Sequence, residues 1–111
     1  MSLAAPRRGE IWLASMDKPR PVVVLTRDPM GTILHSVVVA PVTSTIRGLS
    51  TEVAIGRTDG MRKPSVANLD NLQLVARTDL RRRVGAVSAE TLDLLCDAVA
   101  RAIGCRHSSG R

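Results

Sequence analysis

RPVVVLTR, running from Arg20 to Arg27, and LHSVVVAPV, running from Leu34 to Val42, decide the fold of this chain. Each carries a short unbroken apolar run built mainly of valine. β-Branched side chains suit a pleated surface, and the run of four apolar residues in the first of these stretches predicts a strand buried on both faces. Pro21 falls at the beginning of the first stretch, where a missing N–H is tolerated. Between the two, Asp28-Pro29-Met30-Gly31 places Pro and Gly as turns require. The pair is therefore expected to form a second strand, a turn and a third, central strand.

Outward from this pair, Gly9 to Ala14 (GEIWLA) reads as a short first strand, followed by a polar turn through Asp17-Lys18-Pro19. Thr51 to Ile55 supplies a fourth strand after a polar loop, Thr43 to Ser50, that carries Arg47 and Gly48. Gly56 to Pro64 is a basic loop, Ser65 to Ala76 one long or two short strands, Asp79 to Arg83 a basic turn or short helix, and Val84 to Val87 a last strand. Ser88 to Ile103 is the one convincing helix. Ser88 can cap it and Glu90 suits its first turn, although Thr91 stands where a strict capping box needs Glu. Leu92, Leu95, Cys96, Val99 and Ile103 form its core-facing stripe, and Gly104 ends it. The expected fold is mainly β: a small, strongly curved sheet or barrel of five to seven strands closed by a C-terminal helix. Residues 7–104 are expected to make one domain, with 1–6 and 105–111 as flexible ends.

Composition narrows the function classes. Among 111 residues, 44% are apolar and 23% charged, which is globular and excludes a disordered tail protein. No stretch approaches the ~18 apolar residues of a membrane span, and no signal-peptide block opens the chain, so a cytoplasmic protein without a membrane partner is expected. Cys96 and Cys105 are too few for a disulfide scaffold, lack zinc-ligand spacing, and read as inert. Trp12 is the single aromatic residue, which weakens any scheme that stacks bases on rings. The net charge is +6, and fourteen of the sixteen cationic residues are arginines. Guanidinium groups grip phosphate with two prongs, so a polyanion is a reasonable partner.

Catalytic signatures of the Walker, GxSxG or HExxH type are absent. His35 is the only histidine clear of the tail, which removes a two-histidine ribonuclease mechanism; lying in an apolar strand, it reads as structural. An ordered set of segments nevertheless resembles the MazF/PemK family of toxin endoribonucleases. The pieces are Arg8-Gly9-Glu10-Ile11-Trp12, Arg20-Pro21-Val22-Val23-Val24-Leu25 and Val37-Val38-Val39-Ala40-Pro41-Val42-Thr43-Ser44, then Ser65-Val66-Ala67-Asn68-Leu69-Asp70-Asn71 and Arg83-Val84-Gly85. The resemblance runs from about Arg8 to Gly104.

It implies an SH3-like or CcdB-like barrel, a homodimer, and metal-independent cleavage of single-stranded RNA at a short sequence; the scarce aromatics and a short first loop add a tRNA loop to messenger RNA as an expected target. It implies no cofactor, and an antitoxin whose acidic disordered tail covers the RNA groove. The family's active-site arginine and threonine fall on Arg20 and Thr43, and the base of its PemK branch on Asp70. The arginine that acts as acid in that branch is replaced here by Asn68, and the family's longer first loop is cut down to Met16-Asp17-Lys18-Pro19.

Physical chemistry supports such roles. RNA carries its own nucleophile, the 2′-OH, so an enzyme need only align it, stabilise the phosphorane and protonate the leaving oxygen. An arginine does the second task through charge and bidentate contact. Thr43 can donate to a phosphate oxygen, and Asp70 can accept the 2′-OH proton. Each residue has a plain structural alternative: Arg20 in a salt bridge, Thr43 in a turn, Asp70 on a nearby backbone group. Lys18, Ser44, Arg47, Arg57, Arg62 and Lys63 are candidate RNA contacts, whereas the run Arg81-Arg82-Arg83 reads as a solvated face. Two other functions compete: a CcdB-type gyrase poison, disfavoured because no tryptophan follows Trp12, and a non-catalytic nucleic-acid-binding barrel.

Overall fold

The computed structural model describes residues 4–104. Seven strands and one α-helix follow in the order β1 (Glu10–Ser15), β2 (Pro19–Val24), β3 (Ser36–Thr43), β4 (Glu52–Ile55), β5 (Ser65–Asn68), β6 (Gln73–Ala76), β7 (Leu80–Ala86) and α1 (Ala89–Ile103). The strand order is β4-β5-β3-β2-β1-β7, with β6 paired to β3 beside this path. All pairings are antiparallel.

The valine runs behave as their composition predicts. Val22 and Val24 point into one cluster with Val37, Val39, Val75 and Leu80, while Val23 points into the other with Ile11, Val53, Ile55 and Leu69. β2 is thus buried on both faces, whereas β3 sends Val37 and Val39 into one cluster and Ala40 and Val42 into the other but leaves Val38 exposed. The first half of β2 pairs only with β1, an edge-like position that accommodates Pro19 and Pro21. Helix α1 seals the Ile11 cluster with Leu95 and Ala98. Full burial of a side chain such as Leu95 contributes roughly 1.5–3 kcal/mol. Ser88 Oγ accepts the Thr91 N–H at 3.1 Å, as a cap should, and Gly104 ends the helix in the left-handed conformation. Ile103 departs from the expected stripe: it is exposed, and Ala98 takes the inward place.

The expected fold class holds: seven strands form one curved sheet with a C-terminal helix, although β4 and β7 at the ends of the sheet are not hydrogen-bonded to each other. The gap is crossed instead by a loop, since the 3₁₀ turn Arg57–Asp59 presses on β7 where Gly60 and Gly85 meet. The expected basic turn at Asp79 to Arg83 is a 3₁₀ turn over Arg77–Asp79 followed by strand, so Arg81, Arg82 and Arg83 belong to β7. His35 lies on an exposed turn before β3, not within an apolar strand.

The segment between Ser65 and Ala76 forms two short strands, separated by a 3₁₀ turn at Leu69–Asn71. At the N-terminal end, the described part of the expected flexible segment is held. Pro6 is fully buried, and the Ala4 carbonyl accepts from Arg77 Nε at 2.8 Å. Cys105, His107 and the rest of 105–111 lie outside the described residues. No described helix is long and apolar enough to cross a membrane.

The Gly85 contact is tight enough to test. A Cβ there would overlap the Asp59 carbonyl oxygen, and backbone cannot yield as a side-chain end can. Gly85→Ala is expected to cost about 1–3 kcal/mol, as overpacking does. The measurement is the denaturation midpoint; an unchanged midpoint would show that the loop does not press on β7.

Candidate active site

Pairing between β2 and β3 matches Val22 with Pro41 and Val23 with Ala40. Extending that register by two residues sets Arg20 opposite Thr43, at the end where the strands stop pairing. Here Thr43 is instead paired with Val66 of β5. Where β3 leaves β2 for β5, a cleft of about 440 Å³ opens. Lys18, Arg20, Thr43, Ser44, Arg62 and Lys63 all line it, over an apolar floor that includes Leu13, Val42, Met61 and Val84. Six of the nine residues singled out in the sequence therefore meet in one place.

The other three do not line it. Asp70 sits on the 3₁₀ turn after β5, where its carboxylate accepts from the Thr51 hydroxyl and its N–H donates to Asn68 Oδ1. Asn68 is buried as the cap of that turn. Arg57 is exposed on its own 3₁₀ turn, and Arg47 lies 3.6 Å from Glu52.

Electrostatically the cleft is one-sided. Four cationic side chains line it and no carboxylate does. The carboxylate paired with Arg20 is that of exposed Asp17, at 3.9 Å, an interaction the sequence did not single out although i,i+3 spacing across a turn could have suggested it. Thr43 Oγ accepts the Thr45 N–H at 3.1 Å, so the turn it begins uses its lone pair and leaves its O–H proton to donate. The Trp12 indole N–H donates to Glu10, and Trp12 packs against the other cluster, away from this floor.

With the geometry in place, comparison with known proteins is informative. Residues 7–103 match the family model described as PemK-like, MazF-like toxin of type II toxin–antitoxin system. The chain belongs to this family. Endoribonuclease MazF3 of Mycobacterium tuberculosis is 41% identical over 92 residues, covering 83% of this chain and 89% of the relative. The solved Mycobacterium tuberculosis toxin MazF-mt6 superposes with a TM-score of 0.85 at 39% identity, over 88% of this chain and 99% of that one. A mycobacterial endoribonuclease solved with its cognate antitoxin gives 0.84 at 26% identity, over 93% and 99%. The enzyme class expected from the sequence is the one these relatives carry.

In this MazF-like chain the loop beyond Thr43 is organised by Glu52. Its carboxylate takes the backbone N–H groups of Arg47, Gly48 and Leu49, and its side chain is only 3% exposed. Burial raises the pKa, but the three N–H groups and the Arg47 charge outweigh it, so the group titrates below its ordinary 4.5. A folded pKa below the unfolded one stabilises the loop above the ordinary carboxylate range. That stabilisation is lost as pH falls through the depressed value. The protection of the Arg47, Gly48 and Leu49 amides, taken as exchange relative to the intrinsic rate at each pH, should fall on acidification in the wild type. Glu52→Gln should show fast exchange at neutral pH already. Protection that is flat with pH would contradict the capping role.

Proposed function

We propose that this chain is a cytoplasmic toxin that cleaves single-stranded RNA at a short sequence within the cationic cleft. The observation that carries the reading is the meeting of Arg20 and Thr43 on neighbouring strand ends at the cleft's mouth. The 2′-oxygen bonds to the adjacent phosphorus while the P–O5′ bond breaks, leaving a 2′,3′-cyclic phosphate and a 5′-OH end. Arg20 carries the phosphorane charge, and Thr43 donates to a non-bridging oxygen. The proton leaving the 2′-OH and the one gained by the 5′-oxygen pass through water at the open mouth. Lys18, Ser44, Arg62 and Lys63 hold the flanking phosphates. Bases rest on the aliphatic floor, which takes the place of the missing aromatic platform.

Asp70 serves this scheme by fixing the turn after β5 through Thr51. The exposed loops around Arg47 and Arg57, with Ile46 and Leu49 also exposed, suit an antitoxin's acidic tail that carries apolar anchors.

RNA incubated with the protein in excess EDTA should be cut to cyclic-phosphate ends. Binding without cleavage would favour a non-catalytic barrel, and gyrase-dependent DNA breakage a gyrase poison. Arg20→Ala should lower the rate ~100–1000-fold, the equivalent of ~2.7–4 kcal/mol, and Thr43→Ala less, as a neutral donor. Asp70→Asn should keep the rate while lowering stability. Normal cleavage by Arg20→Ala would move the active site elsewhere.

The homodimer proposed with this function has a suitable face. β6 pairs only with β3, and on this pair Leu74 is 72% exposed opposite half-exposed Val38. Beside them Leu25, Leu72 and Val99 line an apolar depression of about 480 Å³. A free strand edge next to exposed leucine invites a second copy of the same chain. Sedimentation at micromolar concentration should give a dimer for the wild type and a folded monomer for Leu74→Lys. A monomeric wild type would overturn the assembly.

A further inference from the structure

The sheet register carries the cleft floor past its walls. Leu13 of β1 is paired with Pro21 of β2, and one further step of the β2–β3 register sets Pro21 beside Val42. All three residues line the cleft. On its other side Leu13 is paired with Arg82 of β7, the last strand of the sheet. Arg82 is therefore the fourth member of one transverse row whose other three members floor the site. Register shifts on both sides of the Trp12 and Leu13 pairs set it there by displacing Val84 and Arg81 from the ladder.

The three consecutive arginines of β7 then separate by partner. Arg83 forms an ion pair with Glu10 at 3.1 Å, and Arg81 reaches Ser15 Oγ at 3.4 Å. Arg82 is exposed and has no side-chain hydrogen bond or ion pair among the described residues. It adds a fifth cation to Lys18, Arg20, Arg62 and Lys63 around a cleft that no carboxylate lines. Like charges gathered in this way repel unless a counter-charge joins them.

We infer that Arg82 is a positioning residue that holds an RNA phosphate next to the scissile one, so that the bound strand crosses β1 from Arg20 towards β7. β7 lies two strand spacings from β2, roughly 10 Å, too far for Arg82 to share Arg20's phosphate and near enough for a neighbouring one. The inference rests on the ribonuclease reading of the cleft.

The test compares wild type, Arg82→Ala, Arg82→Lys and Arg81→Ala. Binding is measured with a random-sequence single-stranded pool of 2′-O-methyl RNA as a function of salt, and cleavage with the unmodified pool. Loss of one phosphate contact should lower the slope of log affinity against log salt by roughly 0.7 and weaken binding roughly threefold to tenfold at low salt. KM should rise by the same factor with kcat kept. Arg82→Lys should restore most of the slope, and Arg81→Ala should match the wild type.

If the wild type cuts RNA and Arg82→Ala keeps both its salt slope and its KM, the positioning role is overturned while the ribonuclease reading stands. An equal loss in Arg81→Ala would also overturn it, by showing a diffuse charge effect. A wild type that neither binds nor cuts the pools overturns both.

Discussion

β3 is the strand on which the rest of the structure depends, because it has one more partner than it has edges. One edge pairs with β2; the other is divided, Ser36 to Val39 taking β6 and Val42 to Thr43 taking β5. A twisted sheet cannot keep both neighbours coplanar along one edge, so the two halves diverge. The divergence lets β3 send Val37 and Val39 into one cluster and Ala40 and Val42 into the other. It also leaves Thr43 at a fork, with β2 ending on one side and β5 beginning on the other. The cleft is that fork. Its position follows from strand pairing, before any charged side chain is considered.

Much of this was legible in the sequence where burial writes a periodic or continuous pattern. The valine run of β2 became a doubly buried strand, and Ser88 with the Leu92–Leu95–Val99 spacing became the capped helix. The signal failed where water faces the chain. Arg81 to Arg83 lie on an edge strand whose outward residues need no apolar alternation, so nothing in their composition separates strand from turn. His35 was misplaced by one turn because Leu34, which suggests a strand, is itself exposed. At the site, Arg20, Thr43 and Asp70 were named by the family resemblance, and their residue types alone left a salt bridge, a turn and a backbone contact open for them. That Asp70 does not line the cleft was not legible, since its side-chain direction depends on the 3₁₀ turn and on Thr51, nineteen residues away.

The arginine content misleads if taken as a whole. Arg77 is buried with its guanidinium on the carbonyls of Ala4, Thr32 and Leu34, holding the N-terminal segment to the turn before β3. Arg101 fastens the last helical turn to the Ser50 carbonyl. Arg83 and Arg47 are matched by Glu10 and Glu52. These guanidiniums act as cross-links within the fold, a use for which five fixed donors suit them better than an ammonium. Charge that seeks an external partner is what remains.

The remainder is gathered in part: Lys18, Arg20, Arg62 and Lys63 line the cleft, whereas Arg27 and Arg57 stand away from it. Once the internally matched arginines are removed, the cationic groups next to the cleft stand out against walls that carry no carboxylate. A formal charge of +6 spread evenly would attract any polyanion weakly and without orientation. Four cations gathered along one fork, over an aliphatic floor, suit a flexible anionic strand whose phosphates and bases separate to opposite sides. A rigid duplex, with bases already paired, has no apolar surface to offer Leu13, Val42 and Val84. On the proposed ribonuclease reading, a preference for a single strand would arise from the floor, and the strength of attachment from the cations around it.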